Sequence, residues 1–171
     1  MDDGKAFVIR PAEAGDMASV AALFRAYARE IDIDLSFQGF DAELATLPGA
    51  YAPPRGALLL AVAADGALLG CVGVRPLDER GVCEMKRLHV RVSARRLGAG
   101  RALALAAVDA STQAGYERMR LDTLPTMLAA QALYRDLGFE PIPAYYDTPI
   151  AGTLFMQKIL RTSGSPAGLG R

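Results

Sequence analysis

The spacing of apolar residues separates helices from strands along this chain. Residues 17–27 carry apolar side chains three and four positions apart, which places them on one face of a helix. Residues 57–63 are continuously apolar and predict a buried strand, and the Asp65-Gly66 turn pairs it with residues 68–74 as a hairpin. The same criteria predict strands over 6–10, 82–90, 118–122, from 139 onward and over 153–160, and helices over 40–47, 99–113 and 126–137.

The order of these elements predicts the fold class. One strand and two helices come first, a run of meandering strands follows, and helices and strands then alternate to the end. This order is typical of a mixed α/β fold whose first half is largely antiparallel. No internal repeat or linker interrupts it, so residues 1–161 are predicted to form a single domain. Residues 162–171 consist mainly of Ser, Gly, Pro and Ala and predict a disordered tail.

The composition excludes several classes of protein. The chain has 171 residues, of which 51% are hydrophobic, so it folds around its own core. Nineteen basic residues balance nineteen acidic ones, so the domain has no net charge. This argues against a nucleic-acid or membrane-surface partner bound through the electrostatic field of the whole domain. A single histidine and two cysteines exclude zinc ribbons and CxxC redox pairs. The apolar runs are too short to span a membrane and the acidic start is unlike a signal peptide, so we expect a cytoplasmic protein with reduced thiols and no metal.

Positive charge is concentrated in one short region. Six of the nineteen Lys and Arg residues lie between Lys86 and Arg101, and no acidic residue occurs between Glu84 and Asp109. The region includes a glycine-punctuated loop between a predicted strand and helix, where backbone N–H groups can bind a phosphate. The alternative is a flexible surface turn with solvated arginines. A dinucleotide fingerprint fits less well because Leu103 occupies the third glycine position, and the NTPase phosphate loop lacks its Gly-Lys-Ser/Thr.

Three motifs in order resemble the GNAT superfamily of acyl-CoA-dependent N-acyltransferases. Residues 95–100 match its pyrophosphate signature Arg/Gln-x-x-Gly-x-Gly/Ala, residues 84–90 resemble its fourth strand, and residues 132–139 resemble its late helix-to-strand junction. The resemblance covers residues 6–160. It implies a central, mostly antiparallel sheet flanked by helices, with splayed central strands that hold the pantetheine arm of acyl-CoA. The implied cofactor-binding residues are Leu88, His89, Val90, Arg95, Arg96, Leu97, Gly98, Ala99, Gly100 and Arg101.

The sequence departs from the family pattern at four positions. Val92 replaces a frequent proline, Arg96 a frequent glycine and His89 a frequent tyrosine. Met127 lies where many members carry an asparagine that contacts the cofactor, so one expected contact is left unassigned.

The resemblance assigns the two proton transfers to Glu84 and Tyr134. An alkylammonium acceptor, with a pKa of about 10, must lose a proton before it attacks a thioester, and a carboxylate can accept that proton directly or through water. Glu84 is the only acid in a basic strand, at a position where several members keep their general base. A salt bridge to Lys86 or Arg87 is the structural alternative. Tyr134 is the implied general acid for the departing thiolate, and simple packing of its ring is the alternative.

Other reactive side chains are given smaller roles. Cys71 and Cys83 fall in predicted strands away from the loop, so we expect buried thiols rather than a nucleophile. His89 is expected to be a packed residue and not a catalyst. The acceptor site is expected along the first helices and the loop before the last strand, although these side chains could equally pack the loop. Its candidates are Phe37, Gln38, Tyr51, Tyr145, Tyr146 and Asp147.

The predicted function is N-acetyl transfer. Acetyl-CoA is the expected co-substrate, with direct attack by a primary amine in a ternary complex and no metal. The acceptor is expected to be a small molecule or a peptide, without a nucleic-acid or membrane partner, and a homodimer is left open. The alternatives are a non-catalytic acyl-CoA-binding sensor or assembly module and, third, a nicotinamide-dependent Rossmann enzyme.

Overall fold

The computed structural model describes residues 6–160, in which seven strands form one sheet flanked by helices. The strands are β1 Phe7–Pro11, β2 Ala57–Ala63, β3 Leu68–Pro76, β4 Val82–Val90, β5 Arg118–Thr123, β6 Glu140–Ile142 and β7 Leu154–Ile159. The helices are α1 Met17–Ile31, α2 Phe40–Ala45, α3 Ala99–Gln113 and α4 Leu128–Asp136. The strand order is β1-β2-β3-β4-β5-β7-β6, and every neighbouring pair is antiparallel except β4 and β5. The predicted mixed α/β fold with a mostly antiparallel sheet is therefore confirmed.

Differences from the predicted elements lie at their ends. Helix α1 continues four residues beyond its apolar stripe and ends where Asp32 adopts a left-handed backbone with φ 52°. Helix α4 begins two residues later than predicted because Met127 has a non-helical backbone, with φ −85° and ψ 63°. A short 3₁₀ turn at Leu35–Gln38, which the apolar pattern does not predict, connects α1 to α2. The predicted tail, residues 162–171, lies outside the described residues.

The two faces of the sheet carry separate apolar cores. Helices α3 and α4 pack on one face around Leu103, Met119 and Leu121. Helix α1 packs on the other face, where Phe24 meets the ring of Tyr51 edge to face at 5.8 Å. Among residues 6–160, no helix is long and apolar enough to cross a membrane.

Strands β4 and β5 separate after a short paired stretch. Only three residue pairs join them, from Val82 with Arg118 to Glu84 with Arg120. Beyond these pairs β4 continues to Val90 beside β3, and β5 continues to Thr123 beside β7. The middle of the sheet therefore opens into a gap, as the family resemblance implies.

A bulge in β4 accompanies this separation. Between two paired positions β3 advances two residues, from Cys71 to Gly73, whereas β4 advances three, from Lys86 to His89. Within the extra segment Arg87 has a left-handed backbone with φ 60°, which is uncommon for a residue other than glycine. Because a bulge bends its strand and increases the local twist, it directs β4 away from β5.

The buried side chain of Arg87 is held by several partners. Its Nε donates a hydrogen bond to Oε2 of Glu43 at 2.9 Å, and its Nη2 donates to Oε1 of the same carboxylate at 3.3 Å. The guanidinium also lies 5.2 Å from the ring centre of Phe40 and 5.8 Å from that of Tyr27. Tyr51 donates its hydroxyl to Glu43 at 2.9 Å. These contacts offset the cost of the left-handed backbone, which is about 1–3 kcal/mol.

We expect Glu43→Ala to destabilise the fold by about 3–5 kcal/mol, because it leaves the Arg87 charge buried and unpaired. The matched control is Asp136→Ala, which removes the exposed ion pair with Arg101 and should cost less than about 1 kcal/mol. Chemical denaturation of the two variants measures both free energies of unfolding. Equal, small losses in the two variants would contradict a structural role for the Glu43–Arg87 pair.

Candidate active site

Four elements line the gap between β4 and β5. Strand β4 contributes residues 85–88 and β5 contributes Asp122 and Thr123, while α4 contributes Tyr134 and α1 contributes Tyr27. Backbone, hydroxyl and carboxylate groups therefore meet in one cleft at the centre of the sheet.

The edge of β4 that faces this gap has free backbone groups. Arg91 donates its backbone N–H to the Leu69 carbonyl of β3 at 2.8 Å. Since N–H groups point alternately to the two sides of a strand, those of Val90 and Leu88 are directed away from β3 and into the gap. The side chains of Leu88 and Val90 pack on the core beneath α3. Both residues thus direct a backbone N–H toward the gap.

The loop after β4 leads into an exposed helix N-terminus. In the described part of the chain, the backbone N–H groups of Gly98, Ala99 and Gly100 have no hydrogen-bond acceptor. Gly98 adopts φ 82° and Arg96 adopts φ 72°, so the loop turns sharply as it enters α3. Free N–H groups at the start of a 15-residue helix are an arrangement typical of anion-binding sites.

The arginines of this loop have different surroundings. Arg95 donates its Nε to the Val90 carbonyl at 3.2 Å and forms an ion pair with Glu30 of α1, so it ties the loop to two elements. Arg101 pairs with Asp136 at the surface. Arg96 and Leu97 are exposed beside the helix N-terminus.

Glu84 is buried beside the gap, at the last position of β4 that pairs with β5. It is 1% exposed, and its Oε1 accepts hydrogen bonds from Arg75, whose Nε is 2.9 Å away. Its Oε2 accepts the hydroxyl of Tyr145. Lys86 is a distant partner at 3.9 Å, and Arg87 pairs with Glu43 instead. The main ionic partner of Glu84 is therefore Arg75, rather than the two strand neighbours that the sequence suggested.

Asp122 forms a second carboxylate–tyrosine pair on β5. Its Oδ2 accepts the hydroxyl of Tyr146, the residue after Tyr145. The two tyrosine rings pack against each other at 5.5 Å and both pack on Phe155 at 5.2 Å. Burial and the adjacent carboxylates raise the pKa of both phenols, so both remain protonated at neutral pH.

Tyr134 presents its phenol to the gap from α4. The ring is buried and packs edge to face on Phe139 at 5.8 Å. Burial raises the pKa of the hydroxyl well above its usual value, with further contributions from Tyr27 and Asp122. The phenol is thus a proton donor over the whole neutral and mildly alkaline range.

Comparison with known proteins identifies the family. The model of the Acetyltransferase (GNAT) family matches residues 20–139, which is more than half of the chain. The chain belongs to the GNAT family. An uncharacterised N-acetyltransferase of Schizosaccharomyces pombe is 41% identical over 142 residues, which cover 83% of this chain and 87% of that relative. The protein is therefore an acetyltransferase, as its motifs predict.

Solved structures support the GNAT fold. A GNAT-family acetyltransferase from Staphylococcus aureus Mu50 superposes with a TM-score of 0.76 at 19% identity, covering 91% of this chain and all of that one. The structure of yncA from Salmonella typhimurium with its cofactor acetyl-CoA superposes with a TM-score of 0.68 at 21% identity, covering 95% of this chain and 98% of that one. At these identities the likeness establishes the shared fold.

The thiols and the histidine of this GNAT protein are not among the residues that line the gap. Burial raises the pKa of Cys71 to about 12 and that of Cys83 to about 11, so neither thiol supplies a thiolate at neutral pH. His89 is buried beside Tyr27, and its Nδ1 lies 3.6 Å from Glu30. Burial lowers the pKa of His89, so its ring is mainly neutral at pH 7. The His89 side chain therefore packs against α1 and does not line the cleft.

The predicted acceptor residues divide into two groups. Gln38 lies at the site, where it accepts a hydrogen bond from Lys86 Nζ at 3.1 Å and donates to Tyr146 at 3.4 Å. Tyr145 and Tyr146 also lie at the site, where their hydroxyls donate to Glu84 and Asp122 respectively. By contrast, Tyr51 is buried in the α1 core, and Phe37 and Asp147 are exposed.

Several residues of the site were not identified from the sequence. Tyr27 and Thr123 line the cleft, Arg75 holds Glu84, and Glu43 holds Arg87. In the sequence, Tyr27 is recognisable only as part of the apolar face of a helix. Glu43 is recognisable only as an acidic residue on the solvent-facing side of a helix. Their roles depend on contacts between residues distant in sequence.

A second pocket adjoins the gap on the α1 side. It shares Tyr27, Arg87, Asp122 and Thr123 with the cleft and extends toward the loop at residues 146–153. The two spaces therefore meet at these four side chains.

Proposed function

We propose that this GNAT acetyltransferase transfers the acetyl group of acetyl-CoA to a primary amine by direct attack in a ternary complex. The observation that carries the proposal is the gap itself, which brings together the unpaired edge of β4, the phenol of Tyr134 and the carboxylate of Asp122. The loop after β4 leads to the helix N-terminus with free N–H groups, and Glu84 is the last β4 residue that pairs with β5.

The groups around the gap fit acetyl-CoA. The N–H groups of residues 98–100 suit the pyrophosphate, and the outward-facing N–H groups of Leu88 and Val90 suit the carbonyls of the pantetheine arm. Thr123 Oγ1 is the only buried side-chain polar atom without a hydrogen-bond partner among residues 6–160. A buried hydroxyl of this kind is satisfied when a polar ligand occupies the cleft. When bound, acetyl-CoA supplies an activated acetyl thioester.

Direct transfer is favoured over a covalent enzyme intermediate. Cys71 and Cys83 are buried, and burial keeps both thiols protonated at neutral pH. The amine nitrogen therefore attacks the thioester carbonyl itself. The new C–N bond replaces the C–S bond, and the products are an amide, coenzyme A and one released proton.

Tyr134 and Glu84 take the two proton-transfer roles. Tyr134, kept protonated by burial, donates to the departing thiolate of coenzyme A. Glu84 is too buried to contact the acceptor, and both of its oxygens already accept hydrogen bonds. The acceptor's proton therefore reaches it through the half-buried phenol of Tyr145, which accepts this proton as it passes its own to Oε2.

A panel of primary amines tests the proposed reaction. We expect acetyl-CoA-dependent release of free thiol with at least one amine, together with the matching N-acetyl product by mass spectrometry. Tight binding of acetyl-CoA without turnover of any small amine or peptide would instead favour an acyl-CoA sensor. Binding of NAD in place of coenzyme A would contradict both interpretations.

Gly100→Asp should abolish binding of coenzyme A at the helix N-terminus. Like-charge repulsion of about 4 kcal/mol, for charges 4 Å apart at an effective dielectric constant of 20, predicts a loss of at least ~10²-fold. Gly100→Ala is the matched control, because its Cβ would meet only Val90 Cγ2 at 3.7 Å. Calorimetric titration should show this variant close to wild type, and acetylpantetheine, which lacks the phosphates, should bind all three proteins alike. Equal losses for both ligands in Gly100→Asp would argue against a phosphate site.

Variants on the base side and on the acid side of the reaction should show opposite pH dependence. Glu84→Gln and Tyr145→Phe should lower turnover by ~10²–10⁴ near neutral pH and recover as pH rises, because free amine then needs no base. In Tyr134→Phe the loss should grow with pH, because the wild-type phenol keeps its raised pKa while the solvent supplies fewer protons. Tyr116→Phe is the control, since its hydroxyl binds the Arg55 carbonyl outside the gap. Variant profiles that run parallel to the wild-type pH–rate profile would remove these residues from proton transfer.

A further inference from the structure

The two carboxylate–tyrosine pairs differ in how accessible the carboxylate is. Glu84 is 1% exposed and both of its oxygens are engaged by Arg75 and Tyr145. Asp122 is half-buried, and Tyr146 is its only hydrogen-bond donor among residues 6–160. No Lys or Arg within that part of the chain forms an ion pair with Asp122. Its negative charge is thus available to a ligand.

Asp122 also lies where the two spaces of the site meet. It lines both the gap between β4 and β5 and the second pocket on the α1 side. Under the proposed function the thioester occupies the gap, and the acceptor must approach it from another direction. The second pocket provides that approach, and Asp122 lies where the pocket meets the gap.

The charges of the second pocket restrict what can bind there. Arg87 is its only cationic lining residue, and two hydrogen bonds from Arg87 to Glu43 already satisfy that charge. Apolar side chains of Ile31, Leu35 and Ile150 line the remainder, with threonines between them. Lys86, which lines the adjoining gap, donates its Nζ to Gln38 of this pocket at 3.1 Å and lies 3.9 Å from Glu84. A negatively charged group on the acceptor would therefore find both cations already engaged, whereas an uncharged body would pack on these apolar side chains.

We propose that Asp122, oriented by the Tyr146 hydroxyl, binds the protonated amino group of the acceptor, and that the second pocket selects amines whose body carries no negative charge. Tyr146 is a positioning residue: its hydroxyl holds Oδ2 and leaves Oδ1 for the ammonium group. The inference rests on the proposed acetyl transfer and adds the class of acceptor to it.

Three aryl amines test this inference. Benzylamine is an alkylammonium ion at neutral pH, aniline is uncharged, and 4-(aminomethyl)benzoate adds a carboxylate to benzylamine. For the wild type we expect KM to be lowest for benzylamine. In Asp122→Asn the KM for benzylamine should rise by about 10-fold, less than the ~30-fold or more expected for a fully buried charge pair because Asp122 is half-buried, while the kinetics with aniline stay unchanged. Asp78→Asn, which removes an exposed acid in the turn between β3 and β4, is the control and should match the wild type.

Binding without turnover supplies a second measurement. Calorimetric titration of benzylamine into the protein saturated with coenzyme A should show the same loss in Asp122→Asn, with the affinity for acetyl-CoA unchanged. Tyr146→Phe keeps the charge and should show a smaller rise in KM, so it tests the inference if Asp122→Asn does not fold.

Each remaining outcome decides against the inference. Equal losses with benzylamine and aniline would mean that Asp122 does not recognise the charge, and a fall in kcat at constant KM would make it a proton acceptor rather than a binding group. Preference of the wild type for 4-(aminomethyl)benzoate or aniline would refute the acceptor class while leaving acetyl transfer intact. Absence of transfer to every amine would refute the proposed function instead.

Discussion

The Glu43–Arg87 ion pair is the interaction on which the site depends. Arg87 has a left-handed backbone in the β4 bulge. Without Glu43, its charged side chain would be buried beneath α1 with no ionic partner. The pair joins α2 to the central strand, and the rings of Phe40 and Tyr27 complete its surroundings. By fixing the bulge it fixes the direction in which β4 leaves β5. The cleft of this acetyltransferase is therefore a consequence of one extra residue in one strand.

The bulge also determines which side chains share a face. In a regular strand Lys86 and Arg87 would point to opposite faces, but here Lys86 contacts Gln38 and Arg87 contacts Glu43, both on the α1 and α2 side. The opposite face retains Met85 and Leu88 for the core beneath α3. Consequently one face of the gap is polar and the other is apolar apart from Thr123 and Tyr134. Such a division suits a reaction in which an amine and a thioester approach from different sides.

The periodicity of the sequence predicted the elements well because each depends mainly on local spacing. The glycine loop could also be located, since Gly98 and Gly100 lie where a basic strand leads into a long helix. The partners of the candidate residues could not be predicted. Arg75 comes to Glu84 through the register of β3 and β4, and Glu43 reaches Arg87 across 44 positions of sequence. Tyr145 and Tyr146 were predicted to lie near the acceptor site, but their pairing with Glu84 and Asp122 depends on how the last loop folds onto β5 and β7.

A crystal structure of the protein with coenzyme A and benzylamine would test the central claim most directly, namely that the divergence of β4 and β5 creates the acetyl-transfer site. The account predicts the pyrophosphate at residues 98–100, the pantetheine amides on Leu88 and Val90, the sulfur beside the Tyr134 hydroxyl and the ammonium group on Asp122. Coenzyme A bound elsewhere, or a complex in which β4 and β5 pair along their whole length, would contradict it.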